Sequence, residues 1–170
     1  PETLRQGHFV MLTSGSTGSP KLVVGGRRRA EELARVLHSR QQSEPVEEAL
    51  VLLPLSYSYS FVNQWLWARV HRRRLRLTSG LADPHALGEA LATASAAMVC
   101  LVGVQVPLLE CHFGDRNFCG VIRVHFAGGR FPQERLKELA AMFPNAVIYN
   151  NYGCAEAMPR LTLRRADEAD

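Results

Sequence analysis

A chain of 170 residues has room for one domain with a real core, and 46% hydrophobic against 21% charged residues reads as globular rather than disordered. No apolar run approaches the roughly 20 residues that a membrane-spanning helix requires, and the polar start from Pro1 to Gln6 does not resemble a signal peptide. The net charge of +4 is carried almost entirely by arginine, in two clusters at Arg27-Arg28-Arg29 and Arg72-Arg73-Arg74 with Arg76. Neither cluster has the interleaved aromatics of a nucleic-acid groove, so both are expected as solvated or domain-facing surface, with no nucleic-acid partner. Cys100, Cys111, Cys119 and Cys154 include no C-x-x-C pair, which argues against structural zinc or a disulfide framework and for a reducing, cytoplasmic setting. A first residue Pro1 rather than Met suggests numbering that starts inside a longer polypeptide.

In chain order, His8 to Leu12 is a short apolar run suited to a buried strand, followed by a Gly/Ser/Thr loop. Ala30, Leu33, Ala34 and Leu37 give helical spacing over 28–39. A strand is expected over 49–53, a helix over 61–70 and a strand over 75–78. Asp83 is placed to cap a helix that begins at Pro84. Strands follow over 96–102 and 121–126, then a helix over 132–143 opened by Pro132, and a last strand over 146–149. Continuous apolar strands alternating with helices predict a mostly parallel sheet covered on both faces, with the ligand crevice beyond the carboxyl ends of the strands. The loops after Leu12, Leu53 and Tyr149 are all expected at that end.

Thr13-Ser14-Gly15-Ser16-Thr17-Gly18-Ser19-Pro20-Lys21 is the most informative segment. Gly15 and Gly18 let the backbone approach an anion, successive N–H groups and hydroxyls can wrap phosphate oxygens, and Lys21 adds a mobile positive charge. The Walker A pattern is absent, because Pro20 precedes the lysine. A plain Ser/Gly turn is the alternative. Pro54 to Phe61 is a turn rich in serine and tyrosine, whose rings and hydroxyls suit an apolar pocket with a few oriented polar groups, or simply core. Gly128 and Gly129 follow a strand directly and would let a flat ligand lie against the backbone. In Asn150-Asn151-Tyr152-Gly153-Cys154-Ala155-Glu156 a tyrosine can stack on a purine and a carboxylate can hold Mg²⁺ on a triphosphate.

The nine residues from Thr13 to Lys21 resemble the signature loop of the acyl-adenylate-forming (AMP-binding) superfamily, which includes acyl- and aryl-CoA ligases, luciferases and peptide-synthetase adenylation domains. The Pro54–Ser58 turn, Gly128-Gly129 and the Tyr152-Gly153-x-x-Glu156 run resemble further motifs of that family, in the family's order. The resemblance implies a three-layer α-β-α subdomain of the large N-terminal domain, spanning 1–170, with the preceding part and the C-terminal lid outside it. It implies ATP and Mg²⁺ as cofactors, a small carboxylic acid as substrate, and CoA or the pantetheine arm of an acyl-carrier protein as acceptor. By the same resemblance Thr13, Ser14, Gly15, Ser16, Thr17, Gly18 and Lys21 would hold phosphates. Gly128, Gly129, Asn151, Tyr152 and Gly153 would line the nucleotide site, and Tyr57, Ser58 and Gly128 the acid pocket. Glu156 would bind the metal, with Lys21 and Glu156 as the catalytic groups. Two positions depart: Tyr57 stands where many members have histidine, and Ala155 where the pattern Y-G-x-T-E has threonine. A missing hydroxyl contact to a charged partner is worth about 1.5–3 kcal/mol, so a nucleotide-binding module without turnover is the second reading.

Overall fold

The computed structural model describes residues 7–13, 21–158 and 160–168. The Ser14–Pro20 part of the expected phosphate loop lies outside the described residues. The first strands are β1 (His8–Thr13) and β2 (Lys21–Gly26), followed by α1 (Arg27–Arg40) and β3 (Glu48–Val51). A composite helix α2 (58–71) is wound as a π-helix over Phe61–Leu66, between α-helical Ser58–Ser60 and Trp67–His71. Next come β4 (Arg74–Leu77), α3 (Pro84–Ala92), β5 (Ala97–Leu101), α4 (Val106–Phe113) and β6 (Val121–Phe126). The described chain closes with α5 (Leu136–Met142), β7 (Val147–Tyr152) and β8 (Thr162–Arg165).

Six strands form one sheet in the order β4-β3-β5-β6-β7-β8, in which every neighbouring pair is parallel except β7 with β8. All of β3 and β5 is buried, as continuous apolar strands covered on both faces should be. Leu87, Leu91, Leu109, Phe113, Leu139 and Met142 of α3, α4 and α5 pack on Leu50, Val99, Leu101, Val124 and Ile148. Ala34 of α1, with Trp67 and Ala68 of α2, packs against Ala49 and Met98 on the opposite face. The three-layer α-β-α expectation describes this arrangement. Ala30, Ala34 and Leu37 are the buried positions of α1, and Asp83 caps α3 by accepting from the Ala86 N–H at 3.0 Å. Among the described residues, no helix is long and apolar enough to cross a membrane.

Two expectations are corrected. The His8–Leu12 run is not a buried strand of the parallel sheet. It pairs antiparallel with β2 in a separate two-stranded ribbon, and Met11 is its one buried residue. A ribbon touches the body on one face, here through Phe9 tilted against Phe61 with ring centres 5.1 Å apart, so alternate side chains Val10, Leu12, Leu22 and Val24 stay exposed. The loop after Leu12 therefore leaves this ribbon rather than a parallel strand. The second arginine cluster is not simply solvated either. Arg76 forks onto the buried Glu48 carboxylate at 2.9 and 3.2 Å and donates to the Ala90 carbonyl, and Arg73 donates to the Glu44 carbonyl. The first cluster does lie on the surface, with Arg27 and Arg28 paired to Glu31 and Glu32 one helical turn on.

Candidate nucleotide and acid site

The strand order changes direction at β3, because β4 lies on one side of it and β5 on the other. Open α/β sheets bind ligands beyond the carboxyl ends of their strands at such a point. A crevice of about 500 Å³ lies there. Leu53 after β3, Val102 after β5, Ala127 and Gly128 after β6, and Gly153, Cys154, Ala155 and Glu156 after β7 line it. Tyr57, Ser58 and Tyr59 form its wall at the start of α2, and Thr13 and Lys21 enter from the ends of the ribbon. The expected phosphate, acid-pocket and metal residues thus share one crevice as far as they are described.

Local chemistry explains these positions. Ser60 donates to the carbonyls of Pro54 and Tyr57, and the Asn63 amide donates to the Tyr59 carbonyl at 2.8 Å, so the turn after β3 is tied to the helix it opens. Gly128 has φ +77, a conformation that a side chain would strain. A Cβ built at Gly129 meets nothing within 4 Å, which leaves room for a flat ligand against the backbone.

The remaining expected residues that are described, Gly129, Asn151 and Tyr152, fall in a second crevice of about 370 Å³, which Arg130, Phe131, Gln133, Asn150 and Arg164 also line. Gly128 and Gly129 are consecutive, as are Tyr152 and Gly153, so the two crevices adjoin along both turns. Tyr152 is 68% exposed, leaving its ring available for stacking. Tyr152 and Asn151 belong to β7 rather than to a loop, because β7 runs on past Tyr149 to pair with β8. The Asn151 side chain points inward: its amide donates to the Phe126 carbonyl at 2.9 Å and its oxygen accepts from Arg160. Ala155 lines the first crevice, so no side-chain hydroxyl is offered at the position where the family pattern has threonine.

Beneath the acid-pocket wall lies a polar layer that sequence reasoning missed. Arg160, 8% exposed, donates to the oxygens of Asn151 at 2.6 Å and Asn63 at 2.9 Å, and its Cζ lies 5.9 Å from the centre of the Tyr59 ring. Burial, and then the Cys100 thiol, push the Tyr59 hydroxyl well above the usual tyrosine range, and burial raises Cys100 to about 12. His125 stacks on Tyr149 at 5.1 Å, and neither of its ring nitrogens has a hydrogen-bond partner among the described residues. Burial, followed by the charges of Arg160 and Arg123, lowers its pKa well below the ordinary histidine value. An Asn-Gln pair inside the aromatic run Phe61–Trp67 was the available signal for this layer; Arg160 carried none that spacing could reveal.

The sequence pattern of AMP-binding enzymes matches residues 3–170. The D-alanine–D-alanyl carrier protein ligase of Staphylococcus haemolyticus is 30% identical over 166 residues, covering 91% of this chain and 32% of that protein. The same-named ligase of Listeria monocytogenes is 27% identical over 168 residues, covering 91% of this chain and 31% of that protein. This chain therefore spans about a third of the length of these relatives. Among solved structures, VinN with L-aspartate superposes with a TM-score of 0.78 at 19% identity, over 92% of this chain and 39% of VinN. The o-succinylbenzoate CoA synthetase of Bacillus subtilis gives 0.78 at 17% identity, over 93% and 32%. The N-terminal subdomain of Klebsiella oxytoca NpsA, bound to 3-hydroxybenzoyl-AMSN, gives 0.76 at 20% identity, over 95% and 40%. The structural likenesses show the fold. The match of the family pattern along residues 3–170 establishes that the chain belongs to the AMP-binding enzyme family.

Proposed function

We propose that this chain is one nucleotide-binding subdomain of a longer ligase, which activates a small carboxylic acid as its acyl-adenylate with release of pyrophosphate. The observation that carries this reading is the single crevice shared by Thr13, Lys21, Tyr57, Ser58, Gly128, Gly153 and Glu156. In the reaction a substrate carboxylate attacks the α-phosphorus of ATP. The protein's work is positioning and charge neutralisation. Tyr57 and Ser58 hold the acid, and Lys21 with the hydroxyls of Thr13, Ser14, Ser16 and Thr17 holds the outer phosphates. Gly129 and Tyr152 receive the adenine in the adjoining crevice. Glu156 is an exposed hard-oxygen donor on the crevice, and no group of three metal-binding side chains occurs among the described residues. One protein carboxylate completed by phosphate oxygens and water suits Mg²⁺, which would neutralise triphosphate charge. The carrier-protein ligases among the relatives favour a pantetheine arm over free CoA as acceptor.

The test is acid-dependent exchange of pyrophosphate into ATP by the full-length protein, offered D-alanine, L-aspartate, o-succinylbenzoate and 3-hydroxybenzoate. Exchange with one acid and not the others supports the reading; ATP binding without exchange on any acid supports the second reading, a nucleotide-binding module without turnover. Ala155 on the crevice wall is the observation that favours that alternative. Ala155→Thr separates the two: in an active enzyme, restoring one phosphate contact raises exchange by about tenfold, and in an inactive module it changes nothing.

A further inference from the structure

We propose that Arg160 is a positioning residue whose guanidinium clamps the two walls of the crevice into one geometry. The proposal deepens the adenylating reading above and rests on it for its kinetic consequence. One wall is the Tyr57–Tyr59 turn, which leads into α2. The other is the Gly153–Glu156 turn, which follows β7. These walls belong to elements far apart in the chain; the sheet and the packing of Met158 on the cluster of Val62 and Leu66 bring them together, by contacts that fix no direction for individual polar atoms.

Arg160 joins them through two asparagines. Its Nη2 donates to Asn63 Oδ1 at 2.9 Å, and the amide of Asn63 donates to the Tyr59 carbonyl at 2.8 Å, inside the first wall. Its Nη1 donates to Asn151 Oδ1 at 2.6 Å, two residues before Gly153 in the second wall. The amide of Asn151 in turn donates to the carbonyl of Phe126, the residue before the Ala127-Gly128 turn. One guanidinium therefore links the loops after β3, β6 and β7. Each asparagine is used on both sides, accepting from the arginine and donating to a backbone carbonyl.

Arg160 is buried, the titratable groups in electrostatic contact with it are Tyr59, Cys100 and His125, and it makes no salt bridge to a carboxylate among the described residues. A buried cation without a counter-charge is a poor way to gain stability, since an apolar side chain of that volume would pack without the desolvation cost. A planar fork that reaches two acceptors at once is something an apolar side chain cannot supply, nor can lysine, whose ammonium is a point charge. The arrangement therefore favours registration of the walls over stability. Misplacing reacting groups by about 1 Å costs on the order of a hundredfold in rate, so the clamp acts where small displacements matter.

The experiment uses the full-length protein with Arg160→Lys and Arg160→Met. It combines pyrophosphate exchange, with MgATP and whichever acid of the panel the unaltered protein uses, and amide hydrogen exchange. In folded Arg160→Lys, kcat falls about 10–100-fold while KM for ATP and for the acid each move by less than about threefold. Amide exchange quickens in both 57–63 and 151–157 and stays unchanged in α3 and α4. An unchanged kcat, a loss confined to KM, or faster amide exchange in only one wall or evenly through the domain overturns the clamp. If Arg160→Lys unfolds, the Asn63→Ala variant carries the same readings, with faster exchange at 151–157 expected although that segment is unaltered. If the unaltered protein shows no pyrophosphate exchange with any acid, the adenylating reading falls, and the paired amide-exchange response still decides the clamp.

Discussion

On one face of the sheet Leu50, Leu101, Val124 and Ile148 meet α3, α4 and α5 in a continuous apolar layer. On the other, Ala49 and Met98 pack on Ala34, Trp67 and Ala68, and the buried Cys100, Arg123, His125, Tyr149 and Asn151 add polar atoms to that layer. There Arg123 donates to the carbonyls of Gln41 and Gln42, and the Tyr149 hydroxyl donates to that of Gln41. The two faces use the same strands and alternate along them residue by residue. Apolar contact is non-directional, so the first face supplies stability without dictating where any one atom sits. Hydrogen bonds fail outside narrow distances and angles, so the second face fixes positions at some expense in stability. The crevice is bounded by elements that leave the polar face: α2 on one side and the turn that leads to Arg160 on the other.

Three substitutions probe this division. The largest effect belongs to the apolar face. Phe118 is 1% exposed between Phe113 and Phe143, and Phe118→Ala lowers unfolding free energy by about 3–5 kcal/mol in urea titrations. A loss below about 1 kcal/mol would mean that the two faces do not differ as described.

On the polar face, His125→Phe replaces a ring whose nitrogens have no partner among the described residues with one of similar shape. Near pH 8 its effect on stability is within about 1 kcal/mol of zero, far from the usual cost of a core change. Its signature lies in pH dependence. Burial holds folded His125 neutral, whereas the unfolded chain takes up a proton below about pH 6.5. The unfolded state therefore binds more protons there, and this residue's contribution to stability is present above that pH and lost as pH falls. His125→Phe removes up to one proton from the slope, about 1.4 kcal/mol per pH unit, over the range just below pH 6.5. The stacked pair His38 and His71, also lowered chiefly by burial, retains its share of the acid sensitivity. An identical pH slope in the variant would show that His125 is protonated in the folded protein.

The smallest effect is expected outside both faces. Arg28 and Glu32 are paired at 3.4 Å with side chains 87% and 55% exposed, and Arg28→Ala changes stability by less than about 0.5 kcal/mol. A larger loss would give the surface arginines a structural weight comparable to the polar face.

Elements whose periodicity is local were legible before the structure. The β6 strand Val121–Phe126 occurs where its apolar run placed it, and α1 and the Asp83–Pro84 helix start lie within a residue or two of expectation. Three elements were missed: β2, β8 and α4. The ribbon strand β2 ends in paired glycines and exists because β1 lies beside it. The edge strand β8 carries two arginines and is defined by pairing with β7. The helix α4 begins with Pro107 in its first turn, after a glycine-led 3₁₀ turn that reads as loop. Of the site, those residues with a telling local string that are described line one crevice or its neighbour, while Arg160 meets Asn63 only across 97 positions.

The sequence by itself determined the chemistry on offer: a hydroxyl- and glycine-rich run ending in lysine, a tyrosine-serine turn, paired glycines, and a tyrosine and glutamate four residues apart. Short strings can do this because side-chain identity and backbone freedom are local properties. Only the tertiary structure decided which of these groups share a crevice, that Gly128 and Gly129 face different ones, and that a buried arginine spans the gap between walls. Such placements arise from strand order and long-range hydrogen bonds, which no window along the chain contains.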